Sequence, residues 1–426
     1  MGRDLYVSES QLSGTVTAPG SKSVTHRVLL ISSLADGTSR IDNCLDALDT
    51  ASTMDGLGSL GIEMVEEGRR VTVHGRGGSF SEPEAPVDLG NSGTSLRFLT
   101  TLAGLVDGRC VLTGDRSLRS RPMSDLLSSL RQVGVDVRTL GEAGRAPIEV
   151  LGRGSIEGGR ARIGGGVSSQ YVSSLLLSGP YFDEGLRLKV IGGLKSKPYV
   201  DLTRRMMAEF GVDVDARENL FEVNRSQYAP REYVIEGDYS SASFLILAGV
   251  VTGSRIGIGG LTRGSGQADE AFLDQLERAG VSLEWSDGEL LVMGGEPVGL
   301  EVDLSNSPDL VPPTAVLGAV SGGSTVIRGV EHARLKESDR LDVLDTELKK
   351  LGVEVSQMRD GLIVSGRGEI GGGEVDSHGD HRIAMALTVM GLRSEGLIIR
   401  DAGCVAVSYP GFIDDLVSLG AEIRWL

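Results

Sequence analysis

At 426 residues, with 40% hydrophobic and 24% charged side chains, the chain can bury more than one core and has an ordinary globular make-up. A formal net charge of −17 excludes nucleic-acid and anionic-membrane partners, since both need a basic face; cations for an anionic ligand must be concentrated locally. Cys44, Cys110 and Cys404 lie far apart without metal-type spacing, no run reaches transmembrane length, and Met1-Gly2-Arg3-Asp4 opens no apolar leader, so a cytoplasmic protein without disulfides is expected.

In chain order, the same device recurs: a polar, serine- or glycine-spaced start opens a segment too apolar for the surface. Pro19-Gly20-Ser21-Lys22-Ser23 precedes residues 28–35, and Gly90-Asn91-Ser92-Gly93-Thr94-Ser95-Leu96-Arg97 precedes residues 98–106. Val167-Ser168-Ser169-Gln170 precedes residues 171–178, and Tyr239-Ser240-Ser241-Ala242-Ser243 precedes residues 244–251. Asn306-Ser307-Pro308-Asp309 and His378-Gly379-Asp380-His381-Arg382 open the last two runs. Each reads as the start of a buried helix, where unpaired N–H groups and the positive dipole end favour an anion.

A second pattern interleaves with the first. An amphipathic helix, a glycine and an alternating strand recur at Gly61, Gly134, Gly211, Gly280, Gly352 and Gly420, spaced 68 to 77 residues apart by subtraction. Glycine after the last helical residue is the usual stop, and apolar–polar alternation after it predicts a half-buried strand. The amphipathic helices are expected over 123–133, 202–210, 271–279, 340–351 and 412–419, and a second strand follows in the first five units, as at Val71-Thr72-Val73. The sixth unit has no room for it, so Asp4-Leu5-Tyr6-Val7-Ser8 is the expected replacement. One helix per unit faces the core on all sides, so the sheets must lie outside the buried helices. The expected fold is therefore α/β, an inside-out α/β barrel made of two similar domains, each with three repeated units of buried parallel helices and outer sheets. One domain holds both ends of the chain (1–16 plus 238–426). The other (17–237) is inserted, and crossings near Thr17 and Gly237 predict a hinge over an interdomain cleft that closes on ligand.

Lys22, Arg27, Arg97, Arg121, Lys336, Arg340 and Arg382 cluster at these helix starts, and arginine forks suit phosphate and carboxylate. Gly20-Ser21-Lys22-Ser23 looks like the tail of a P-loop, but the G-x-x-x-x-G-K-[ST] frame is missing. His378-Gly379-Asp380-His381 offers no third metal ligand, and Asp380 reads better as a helix cap. In Leu335-Lys336-Glu337-Ser338-Asp339-Arg340, neighbouring cations hold Glu337 ionised while burial would make it a better proton carrier. Asp309, opening a buried helix after Pro308, reads as a base or a hydroxyl-binding group.

Together, Pro19–Arg27, Gly90–Arg97, Ser168-Ser169-Gln170, Ser196-Lys197-Pro198-Tyr199, Leu335–Arg340 and Asp380-His381-Arg382 resemble the 5-enolpyruvylshikimate-3-phosphate synthases along the whole chain. The resemblance implies transfer of the enolpyruvyl group of phosphoenolpyruvate to the 5-hydroxyl of shikimate 3-phosphate, with no metal or organic cofactor, by a monomer. It assigns Lys22, Ser23, Arg27, Ser168, Ser169, Gln170, Ser196, Tyr199, Asp309, His332 and Lys336 to shikimate 3-phosphate. Lys22, Gly93, Arg121, Gln170, Arg340 and Arg382 fall to phosphoenolpyruvate, and Asp309, Lys336, Glu337 and Lys22 to catalysis. The competing resemblances are the related transferase acting on UDP-N-acetylglucosamine and a non-catalytic anion-binding relative. One departure stands out: many members of the family carry a lysine where this chain has Val407, so one cation of the phosphoenolpyruvate site is missing from its usual place.

Overall fold

The computed structural model describes residues 2–366 and 370–426. Each of the six polar starts opens a helix: Lys22–Leu34, Gly93–Leu102, Ser169–Ser178, Tyr239–Val251, Val311–Val320 and His381–Gly391. Their apolar residues reach zero exposure, as at Leu29, Phe98, Leu175, Leu245, Leu317 and Leu387. Several hydroxyls in these helices find a partner within their own helix or on the next. Thr100 donates to the Leu96 carbonyl at 2.6 Å, and Thr101 meets Ser174 of the neighbouring helix at 2.6 Å.

The chain divides into two compact units. The inserted unit is Gly20–Ile235, and the terminal unit is Met1–Pro19 taken with Glu236–Leu426. Within each, the three buried helices touch one another. The amphipathic helices follow, including Ser124–Gln132, Lys197–Glu209, Ala271–Arg278, Arg340–Lys350 and Phe412–Ser418. The six glycines at helix ends all have left-handed φ, between 83° and 106°, as a stop after the last helical turn requires.

The described residues form six four-stranded sheets of one pattern. In one of them Asp107–Thr113 pairs parallel with Val87–Asp88 and antiparallel with Ile148–Arg153, which in turn pairs with Asp136–Thr139. Burial alternates along such strands: Leu186, Leu188 and Val190 face the helices, while Arg187, Lys189 and Ile191 face solvent. The sheets thus have one wet face and lie outside the helices. Leu5–Val7 supplies the strand that the sixth unit lacks, pairing antiparallel with both Leu397–Arg400 and Ile423–Trp425.

The short strand that precedes each buried helix, such as Val87–Asp88 or Glu301–Asp303, was not expected from the sequence. At the two crossings these leading strands are exchanged. Gly14–Thr17 comes before the Lys22 helix in the chain but pairs with Ile256–Gly259 of the terminal unit. Glu232–Val234 comes before the Tyr239 helix but pairs with Asp36–Asp42 of the inserted unit. At the first crossing only glycine fits: a Cβ on Gly20 would stand 2.0 Å from the Asn43 carbonyl oxygen. Among the described residues no helix is long and apolar enough to cross a membrane.

Candidate active site

In the inserted unit the starts of the three buried helices are knitted together. Lys22, the first residue of its helix, pairs with Asp49 at 2.8 Å; Asp49 lies in the first turn of Leu48–Ser59, where the dipole favours a carboxylate. Burial alone would raise the Asp49 carboxyl. The charges of Lys22 and His26, with hydrogen bonds from Lys22 and Ser92, outweigh it and hold the group at about 2. Burial pushes His26 down to about 4, so its ring is neutral near pH 7. Its Nδ1 meets Thr53 Oγ1 at 2.7 Å; Thr53 meets Ser95 at 2.6 Å, and Ser95 meets Ser92 at 2.6 Å. A line of hydroxyls therefore joins the Lys22 and Gly93 helix starts.

The third start joins through an amide. Gln170 accepts from Arg97 Nη1 and donates to Thr94 Oγ1 at 2.9 Å, while Ser168 caps its helix by accepting from the Gln170 N–H at 3.2 Å. Arg121 donates to Asn91 Oδ1. Gly93 opens the floor beneath both arginines: a Cβ there would lie 2.7 Å from Arg121 Nη1 and 3.2 Å from Arg97 Nη1. Two guanidinium groups over a helix N-terminus make an anion seat.

Arg27 is built differently. It is 2% exposed, and it donates to Thr203 Oγ1 at 2.8 Å and to the carbonyls of Ser23 at 2.8 Å and Tyr199 at 3.2 Å. Burial lowers it to about 10, which leaves it charged near neutrality. Through the Tyr199 carbonyl it fixes the start of Lys197–Glu209, whose preceding residue, Ser196, adopts a left-handed φ of 54°. Ser169, at the first position of its helix, is buried.

The terminal unit gathers its three helix starts around carboxylates. Asp309, in the 3-10 turn Pro308–Leu310 that leads into Val311–Val320, takes Arg340 at 2.8 Å, Arg382 at 3.1 Å and Lys336 at 3.8 Å. Arg340 also donates to Glu337 at 2.8 Å and to Asp380 at 2.9 Å, and its side chain is 1% exposed. Burial works against the charge of Arg340, but Asp380, Glu337 and Asp309 outweigh it and raise its pKa. Asp380 caps its helix by accepting from the Arg382 N–H at 2.9 Å, as its place in the sequence indicated. Its carboxyl, which burial would raise, is held below the ordinary range, first by Arg340. His332 is buried in the 3-10 turn Glu331–Leu335, which packs on the Asp309 turn. Val407, 8% exposed, ends the 3-10 helix Ala402–Val407.

Within each unit, then, the predicted residues come together. Asp49 and Asp269 were missed. Asp49 lies one residue into its helix, where it looks like any dipole-favoured acid until the fold brings it to Lys22; Asp269 sits in a short 3-10 turn with no periodicity to flag it.

The likeness to solved structures assigns the class, an α/β enzyme. The EPSP synthase of Acinetobacter baumannii superposes with a TM-score of 0.83 at 27% identity, covering 100% of both chains, and a second structure of it gives 0.81 at 26%. The EPSP synthase family (3-phosphoshikimate 1-carboxyvinyltransferase) matches residues 7–416. The 3-phosphoshikimate 1-carboxyvinyltransferase of Methanothermobacter thermautotrophicus is 45% identical over 423 residues, 99% of each chain. That of Methanocaldococcus jannaschii is 41% identical over 420 residues, 97% of each. The chain belongs to the EPSP synthase family and is a transferase.

Proposed function

We propose that this chain joins the enolpyruvyl group of phosphoenolpyruvate to the 5-hydroxyl of shikimate 3-phosphate and releases phosphate, in the cytoplasm. Family membership supports the reaction, and the observation that carries the residue assignments is the grouping of cations and carboxylates at six helix starts. Both substrates are anions. Lys22, Ser23, Arg27, Ser168, Ser169, Gln170, Ser196, Tyr199, Asp309, His332 and Lys336 hold shikimate 3-phosphate, with Asp309 at the reacting hydroxyl. Gly93, Arg121, Gln170, Lys22, Arg340 and Arg382 hold phosphoenolpyruvate. Burial of the three cysteines as free thiols supports a reducing compartment.

The chemistry is addition then elimination. The 5-hydroxyl oxygen bonds to C2 of phosphoenolpyruvate, its proton passes towards Asp309, and C3 takes a proton from the Lys336–Glu337 pair. The C2–O bond to phosphate then breaks, the departing phosphate takes up the proton held by Asp309, and C3 returns a proton to the same pair. A phosphate or carboxylate arriving at Arg340 and Arg382 shares those guanidinium groups with Asp309. That weakens their hold on it and makes it a better base when the acceptor is seated. The tetrahedral intermediate keeps both anionic groups, so fixed cations stabilise it through both steps.

Phosphate release from phosphoenolpyruvate, with and without shikimate 3-phosphate, tests the reading. Release only with that acceptor is expected. Silence with it, together with release on UDP-N-acetylglucosamine, overturns the assignment.

A further inference from the structure

One buried carboxylate of the terminal unit has no part in that chemistry. Arg340, at the head of the helix Arg340–Lys350, is tied to Asp380 at 2.9 Å. About two turns along the same helix stands Glu347, whose side chain is 1% exposed. Its Oε2 accepts the Asp376 N–H at 2.9 Å, and its Oε1 meets His378 Nε2 at 2.9 Å. Lys350 donates to its two oxygens at 2.9 and 2.7 Å. Asp376 ends the strand Gly373–Asp376, and His378 lies two residues before the helix cap Asp380. The Arg340 helix therefore grips the segment 376–380 at both of its ends.

The turn it grips is not one that the backbone adopts unaided. His378 and Gly379 take left-handed φ values of 52° and 69° in succession. Glycine does so freely, but a histidine there is strained, and its surroundings must fix it. The His378 N–H donates to Asp376 Oδ1 at 2.6 Å, and its ring is the group bonded to Glu347. Further on, the Gly379 N–H donates to Ser377 Oγ at 3.2 Å, and the Asp380 N–H donates to the Ser377 carbonyl at 3.0 Å. The strained turn thus sets where Asp380 stands. Asp380 in turn accepts from the Arg382 N–H and holds Arg340.

We propose that Glu347 is a positioning residue for this reaction, acting through His378 and the Asp376 N–H: by fixing the turn 376–379 it sets the place of Asp380 and Arg382, and with it the hold on phosphoenolpyruvate. The inference rests on the placement of phosphoenolpyruvate at Arg340 and Arg382 proposed above. Shikimate 3-phosphate draws no ligand from this turn in that reading, so its binding is left nearly level.

Two measurements test it on the full chain. In steady-state kinetics Glu347→Ala raises the KM for phosphoenolpyruvate about tenfold, the worth of one charge-assisted contact to a displaced guanidinium, and that for shikimate 3-phosphate less than about twofold. Glu347→Gln keeps an oxygen for the Asp376 N–H and an amide N–H for the His378 ring, and it recovers most of the loss. His378→Ala, at a side chain 44% exposed, raises the same KM and spares the other. Lys350→Met removes the partner that does not touch the turn and leaves both values as in the wild type. An unchanged KM for phosphoenolpyruvate in Glu347→Ala, or equal rises in both KM values, overturns the proposal. If Glu347→Ala does not fold, His378→Ala decides on the same terms. Hydrogen exchange of the protein alone is expected to quicken over 376–382 in either variant and to hold over 311–320; unaltered exchange over 376–382 overturns the proposal too. Failure of the wild type to release phosphate with shikimate 3-phosphate counts against the proposed reaction, and the exchange result still decides whether Glu347 fixes the turn.

Discussion

The polar ends of the two units share one plan, three buried helix starts joined by hydrogen bonds, yet they are charged in opposite styles. In the inserted unit the cations rest mostly on neutral groups: Arg97 on Gln170, Arg121 on Asn91, and Arg27 on a hydroxyl and two carbonyls. Asp49 is the carboxylate paired with Lys22 there. In the terminal unit Arg340 alone serves Asp309, Glu337 and Asp380. Neutral partners leave a cation's charge available to an incoming anion. Carboxylates compensate it, but they provide groups that can carry protons. One scaffold therefore suits holding in one unit and proton transfer in the other.

Four tests would break or sharpen that contrast. The largest effect is expected from Glu337→Gln, which should lower kcat about a thousandfold with little change in either KM, the usual size for a lost proton carrier. Ser169→Ala in the other unit should act on KM for shikimate 3-phosphate instead. Steady-state kinetics that show the same kcat loss for both would erase the division of labour.

Next come the two buried arginines. Arg340→Met takes a guanidinium from three carboxylates, of which Asp309 keeps Arg382 and Lys336, and should cost about 3–5 kcal/mol in urea unfolding. Arg27→Met strands neutral acceptors and should cost about 1–3 kcal/mol. Equal losses would show that the charge styles do not differ energetically.

The third is a pH effect. Asp49 is depressed to about 2 from an ordinary 3.8, so its contribution to stability is complete above that ordinary value and is lost as pH falls through the lower one. That contribution is about 2 kcal/mol, and Lys22→Met should remove most of it. Wild type and variant should therefore converge in stability at the acid end; a gap that persists there would place the Lys22 effect elsewhere.

The smallest effect is expected at Gly93→Ala. The new methyl must move the tip of Arg121, at a cost of about 1 kcal/mol, and KM for phosphoenolpyruvate should rise severalfold while that for shikimate 3-phosphate holds. No change would mean that Arg121 has a second seat.

What could be read from the chain beforehand follows from periodicity. Helices such as Tyr239–Val251 announce themselves by length and continuous apolarity, and glycines such as Gly352 by a helix before and alternation after. Strands such as Val87–Asp88 do not, because two residues show no period and their pairing partner lies more than twenty residues on. The cations were legible because arginine at a polar helix start is conspicuous. Their counter-charges were less so: Asp49 in a helix's first turn looks like any dipole-favoured acid, and only three-dimensional placement beside Lys22 gives it a role.

The central place of Leu5–Val7, between Leu397–Arg400 and Ile423–Trp425, sets an order of events on the ribosome. The inserted unit is one continuous piece, and its last strand, Glu232–Val234, pairs with residues already made. It can mature while synthesis continues. The first strand of the chain must stay unpaired until residues at the far end emerge, since Leu5 faces Ile399 and Trp425. An exposed strand kept waiting through most of translation is the stretch of this molecule most open to wrong pairing, and chaperone demand should concentrate there.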